Sequence, residues 1–296
     1  NKRHTALITD FLKSKGNTIT EATKTNYKNV FKSLLVEILE NNTRKYIFTI
    51  PTRILINKID TNPHLNINNK ISYLKMIKYL LEFLNKPYNQ VMDKLKIYYN
   101  EAITDRPRQN KEVLKNSLFT FNKLMDLLEQ SKDQSYLLLY LLINFNTRNQ
   151  DLIMLYTNNK KTINNVLQGK QAENILYFNE DDNLIYVRGN YKTLTSYGVK
   201  AHIINDPYFI SQIKKKSNNT YLLNNRNNKP YTAGEIQKLI KSIGNKYIKN
   251  SNLNQQNIYK IIVEYYENNN DNNQLKSAAN NRGHMRDTQE AYYSTV

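Results

Sequence analysis

An arginine, a lysine, a histidine and a tyrosine pair stand in this chain in an order that could handle a phosphodiester: Arg148, Lys192, His284, then Tyr292 and Tyr293. A guanidinium forks onto phosphate oxygens and stabilises charge in a pentacoordinate transition state. An ammonium can hand a proton to a leaving oxygen. A phenol can attack phosphorus and carry the covalent intermediate. Each residue alone means little. With 23 tyrosines in the chain a terminal one carries little weight, and Arg148 with Asp151 three residues on has the spacing of an ordinary surface pair. A lysine in an exposed turn is equally commonplace.

The partner these groups imply agrees with the charge. Lys and Arg number 43 against 25 Asp and Glu, a formal net charge of +18, and the excess is spread along the chain, which favours a phosphate-rich partner. There is no cysteine, so disulfides and thiolate metal sites are excluded. The histidines, His4, His64, His202 and His284, are too scattered for a metal cluster. Apolar runs such as 136–143 fall well short of the ~20 residues of a membrane span, and no signal-peptide pattern opens the sequence. The expectation is an intracellular protein, of cytoplasm or a host nucleus, with no membrane, metal or cofactor. The bias to Asn, Lys, Ile and Tyr is that of AT-rich coding, shared by large DNA viruses and their parasites, some protists and some bacteria.

The elements that must position these residues read as follows. Thr18-Ile19-Thr20-Glu21 has the form of a capping box, and Tyr27, Val30, Phe31, Leu34, Leu35, Ile38 and Leu39 follow at helical spacing. A second amphipathic helix is expected over 71–84, with Lys70, Lys75 and Lys78 between its apolar positions. Around Pro107, between Ile103 and Val113, periodicity is lost and charge collects, which predicts a linker. Helices are expected again at 117–130 and 136–145, the latter apolar nearly all round. Three short β-type runs, 175–178, 184–187 and 199–204, separated by polar turns, predict a three-stranded antiparallel meander. Thr232 to Glu235 is another capping box opening a helix, further helices are expected at 257–267 and 275–279, and Asp287 to Glu290 can be read as a capping box for a last one. The fold class is mainly α with a small antiparallel three-stranded sheet (α+β). The expected domains are 1–104 helical, 105–115 linker and 116–296 carrying the chemistry.

This layout resembles that of the tyrosine recombinase and integrase family, and short boxes can be matched to it. Asn146-Thr147-Arg148-Asn149-Gln150-Asp151-Leu152 resembles the family's Gly-Leu-Arg-x-x-Glu-Leu, with Arg148 as the first catalytic arginine. Lys192, in the run after the second strand of the meander, resembles the family's hairpin lysine, with Lys200 as fallback and Arg188 as a phosphate contact. Gly283-His284 resembles the Leu-Gly-His box, with the nucleophile about nine residues on. That count favours Tyr293, while the capping-box register keeps Tyr292 open. One box departs: where His-x-x-Arg should open the penultimate helix stands Gln256-Asn257-Ile258-Tyr259-Lys260. Helical phase puts Tyr259 at the second arginine, so that Lys260 substitutes, or Arg282 or Arg286 reaches in from the neighbouring segment.

The resemblance implies a site-specific recombinase or integrase that cuts and rejoins double-stranded DNA through a 3′-phosphotyrosyl link, moving a mobile or viral genome. It implies a helical domain closing on duplex DNA, with Lys75, Lys78, Arg188, Arg282 and Arg286 as DNA contacts, and a homo-tetramer on paired sites. No metal or nucleotide is implied, because the bond energy is stored in the phosphotyrosyl link. Few residues follow Tyr293, so little tail is expected for exchange between protomers. A telomere resolvase or type IB topoisomerase would use the same chemistry. A DNA-binding protein that kept the scaffold and lost cleavage is the reading that the missing arginine motivates.

Overall fold

A computed structural model of the chain describes residues 2–39, 46–225, 227 and 229–295. It divides into two compact units, Asn1–Asp105 and Arg106–Val296. No helix among the described residues is long and apolar enough to cross a membrane.

The first unit is helical: α1 (Lys2–Lys15), α2 (Glu21–Leu39), α3 (Thr52–Asp60), α4 (Ile67–Phe83) and the first half of α5 (Asn89–Ser117). Phe11, Phe31, Leu34, Leu55, Ile59, Leu74, Ile77 and Leu80 meet in its core, the burial that makes short helices stable in water. The capping residue of α2 is Thr20, whose hydroxyl accepts from Thr23 N at 3.2 Å. Thr18 instead donates to the Lys15 carbonyl at 2.5 Å and closes α1.

The expected linker at 105–115 is helix. α5 is continuous through Pro107, and its buried stripe runs Val91, Leu95, Tyr98, Ala102 and then Asn110, Leu114 and Ser117. The apolar period disappears from the sequence in the middle of that stripe because Arg106 and Asn110 take positions that Leu or Ile would otherwise fill.

The second unit packs α6 (Phe121–Gln130), α7 (Asp133–Asn144), α11 (Ala233–Tyr247) and α12 (Gln255–Asn268) against one sheet. The Thr232 capping box forms as expected, with Glu235 reaching back to Thr232 N. The sheet has five strands where three were expected. β1 (Met154–Tyr156), β2 (Asn174–Phe178), β3 (Leu184–Arg188), β4 (Lys200–Ile204) and β5 (Thr220–Tyr221) lie in the order β4-β3-β2-β1-β5. The meander β2-β3-β4 is antiparallel, but β1 joins β2 in parallel across α8 (Lys160–Leu167), so the sheet is mixed. β1 and β5 were missed because strands of three and two residues are too short to show alternation. A short α9 (Leu194–Tyr197) interrupts the β3–β4 connection and α10 (Pro207–Lys214) follows β4. The chain ends in α13 (Asn272–Arg282) and α14 (Arg286–Tyr293).

Candidate functional site

Arg148 stands at the mouth of a 3-10 turn, Asn149–Leu152, that follows the buried helix α7. Its backbone N–H donates to Asp151 Oδ2 at 3.0 Å, and the same carboxylate oxygen takes Arg188 Nη2 at 2.5 Å. Arg188, at the end of β3, and Asp151 are both 0 % exposed. Arg188 also donates to the Asn281 carbonyl and lies over the Tyr191 ring at 4.7 Å. It therefore ties β3 to the Arg148 turn and to the end of α13. The expectation that Arg188 contacts phosphate does not fit this placement, since its guanidinium is committed to a carboxylate and a carbonyl inside the protein.

α13 ends in a Schellman motif: Gly283 sits in the left-handed region at φ 72°, its N–H donates to Asn280 O at 3.0 Å, and His284 N donates to Ala279 O at 2.9 Å. A Cβ at Gly283 would meet Thr193 Oγ1 at 2.2 Å, and that hydroxyl donates to the Gly283 carbonyl at 3.2 Å. The glycine thus admits the loop after β3 and turns His284 towards Arg148. His284 Nε2 is 2.8 Å from Arg148 Nη2.

Burial, with the Arg148, Arg282 and Lys192 charges nearby, pushes the His284 imidazole down to about 4, so the ring is neutral at pH 7. Because a guanidinium can only donate, Nε2 is the acceptor and the proton resides on Nδ1. That Nδ1–H and Arg148 Nη1 are buried donors with no acceptor among the described residues. Burial, then the neighbouring Arg282 charge, lowers the Arg148 guanidinium as well.

Tyr293 closes the cluster. Its ring is stacked on His284 at 5.5 Å between centroids and meets the edge of Tyr259 at 4.7 Å. The Arg282 guanidinium lies 5.9 Å from the centre of the Tyr293 ring. Arg282 is 2 % exposed, donates to the carbonyls of Asn146 and Thr147 at 3.2 and 3.1 Å, and lies over Tyr259 at 4.6 Å. So the position that helical phase assigned to a second arginine holds Tyr259, and a guanidinium from α13 stacks on that ring. Tyr259 is buried, and burial raises its phenol to about 12. Gln289 Nε2 donates to its oxygen at 2.9 Å.

The other expected residues fall elsewhere. Tyr292 is 49 % exposed and carries Arg106 over its ring at 5.5 Å. Lys260 is half-buried, and its ammonium is lowered by burial and then by Arg106. Lys260 lies about 100° round α12 from Tyr259. Arg286 is bound to its own helix, to Gln289 Oε1 at 2.6 Å and Glu290 Oε1 at 3.3 Å. The capping box over 287–290 does not form: the helix starts at Arg286 with Met285 at the N-cap and no side-chain bond, so Asp287 already lies inside the first turn, and Glu290 pairs with Arg286.

Lys192 is exposed, acts on His284 electrostatically, and makes no hydrogen bond or ion pair among the described residues. Lys200 donates to the Asn280 carbonyl, with its ammonium lowered by burial and then by Arg188 and Arg148. In the first unit Lys75 lies over Tyr99 at 5.1 Å and Lys78 over Tyr79 and Tyr88 at 5.4 and 5.7 Å. Arg282 has the burial of a framework residue.

No group of three or more potential metal ligands gathers among the described residues. Sequence reasoning missed Asn110, Thr193 and Gln289. Gly283 was the one available signal for Thr193, while Asn110 and Gln289 carried none.

No protein-family model matches the chain, and no curated protein does. Among solved structures it is similar to one described as the crystal structure of XerA recombinase, at 12% identity over 99% of this chain and 94% of that one, with a TM-score of 0.41, too loose a likeness to carry an inference.

Proposed function

We propose that this protein breaks and rejoins DNA strands through Tyr293, as the resemblance of its sequence boxes to tyrosine recombinases implies. One observation supports it above the rest. Residue 148 converges with 282, 284 and 293, more than a hundred residues on, so that a phenol stands beside two guanidinia and a neutral imidazole, with Arg148 Nη1 and His284 Nδ1–H left as buried donors without acceptors among the described residues. Buried donors of that kind are costly unless an anion uses them.

In this reading a scissile phosphate takes the Arg148 and His284 donors on its non-bridging oxygens. Tyr293 Oη bonds to phosphorus, its proton passes to solvent, and the bond from phosphorus to the 5′ oxygen breaks. Lys192, exposed at the rim, hands that oxygen its proton. Religation runs the same steps in reverse, with the 5′ hydroxyl attacking and the phenolate leaving. Arg282, bound to the Asn146 and Thr147 carbonyls and 5.9 Å from the Tyr293 ring, supplies positive charge beside the phenol in place of an arginine at Tyr259. The outcome for DNA is integration or excision of a mobile or viral element by protomers assembled on paired sites.

A second reading is a DNA-binding protein that has lost cleavage. The burial of Arg282 favours it, because its Nη1 is already bound to the Asn146 and Thr147 carbonyls inside the protein. Covalent trapping separates the two. Protein is incubated with end-labelled duplex from its own element's ends, denatured, and examined for protease-sensitive label. An adduct that survives Tyr292→Phe and disappears with Tyr293→Phe is the expected result; binding with no adduct in the unaltered protein supports the second reading.

A further inference from the structure

The two adjacent tyrosines of α14 raise the question of what decides which one faces His284. Successive helical residues differ by about 100° in direction. A small rotation of α14 would therefore carry Tyr292 inward and Tyr293 out. The last carbonyls of a helix have no partner within it, so α14 cannot fix its own end.

Here that end is gripped by α5. Asn110, 1 % exposed, donates its amide to the carbonyl of Ser294 at 2.7 Å and to that of Tyr292 at 3.3 Å. The two acceptors flank residue 293. One turn earlier on the same face of α5, Arg106 covers the Tyr292 ring at 5.5 Å. Beyond the helix, Ser294 and Thr295 are buried, and Thr295 N donates to Glu267 Oε2 of α12 at 3.1 Å.

We infer that Asn110 is a positioning residue for Tyr293: its amide bridges the carbonyls on either side and holds α14 in the rotation that presents Tyr293, and not Tyr292, to Arg148 and His284. The inference rests on the reading of Tyr293 as nucleophile. A plain space-filling role would not require an amide, whereas two carbonyl acceptors require a group with two N–H donors and no charge. Aspartate has the same shape, has no such donors, and would set negative oxygens against both carbonyls.

The test places 3-fluorotyrosine at position 293 of the full chain and, in a separate sample, at the fully buried Tyr186. Fluorine resonances are compared among the unaltered protein, Asn110→Asp and Asn110→Ala, and adduct formation on labelled duplex is timed at saturating DNA. The expected result is a 293 resonance displaced towards that of an unstructured chain with the 186 resonance unmoved. The adduct rate should fall by about a hundredfold, as for a misplaced reacting group, with DNA affinity held within about twofold.

A 293 resonance unmoved in both variants overturns the inference. So does movement of both probes, which would make Asn110 a general fold residue, and so does a displaced 293 probe with an unchanged adduct rate. If the unaltered protein forms no adduct and the 293 probe alone moves, Asn110 does position Tyr293, and it is the nucleophile reading that fails.

Discussion

At the scale of single residues the site depends on charges whose partners are inside the protein. Asp151 is the hub, taking both the Arg148 backbone N–H and the Arg188 guanidinium. Asp151→Ala should therefore cost about 3–5 kcal/mol, because it leaves a buried guanidinium without its counter-ion, and urea unfolding would register it as a lower midpoint. A surface pair at the same spacing would lose well under about 1 kcal/mol. Histidine sets a pH dependence of defined sign. His202, packed against Phe145 and Tyr186, is held down to about 4 by burial and then by Arg188, against an ordinary 6.5. Above 6.5 folded and unfolded chains both hold the ring neutral, so no stability is at stake. As the pH falls from 6.5 towards 4 the unfolded chain takes up a proton that the folded one refuses, and stability declines. His284 adds a slope of the same sign over the same range. His202→Phe should make the melting temperature less sensitive to pH between those limits; an unchanged slope would show that His202 titrates normally in the fold.

At the scale of elements the outcome turns on how α13 ends. Gly283→Ala would place a methyl against Thr193 Oγ1 and force a left-handed φ of 72° on a residue with a Cβ. The expected cost is about 1–3 kcal/mol from backbone strain, together with loss of adduct, because the loop carrying Lys192 and the turn carrying His284 are pushed apart. Circular-dichroism melting and covalent trapping report the two effects separately. Much of this arrangement was legible: α2, α4, α7, α11 and α12 declare themselves by apolar spacing, and the meander by its β-branched and aromatic runs. Arg148 and His284 stood out by their boxes, and the geometry brings them to within a hydrogen bond. What stayed hidden was hidden for physical reasons. α5 lost its period because Arg106 faces a ring and Asn110 faces two carbonyls, so polar residues occupy a buried stripe. Arg282 looked like an exposed contact because nothing in a linear sequence shows that Asn146 and Thr147 offer it their carbonyls. The 287–290 capping box failed because the helix begins earlier, at Arg286, which pairs with Glu290.

At the scale of the whole molecule the net charge of +18 favours a polyanionic partner, and the burial pattern separates exposed cations from those committed inside the protein. Affinity for duplex DNA should fall linearly on a log–log plot against salt, with a slope of about −0.9 for each phosphate neutralised. Lys75 and Lys78 are partly exposed, with their ammonium groups over tyrosine rings, so Lys75→Ala and Lys78→Ala should each reduce the slope by about 1 and weaken specific and unrelated sequences alike. Arg188→Ala removes the same formal charge from a site that is 0 % exposed. It should leave the salt slope unchanged while lowering the unfolding midpoint, because its guanidinium neutralises Asp151 and not a phosphate. Titrations of the three variants at several salt concentrations make the comparison directly. A slope reduced equally by Arg188→Ala would mean that the β3 end opens to bind DNA, and the separation drawn here between framework arginines and contact lysines would be wrong.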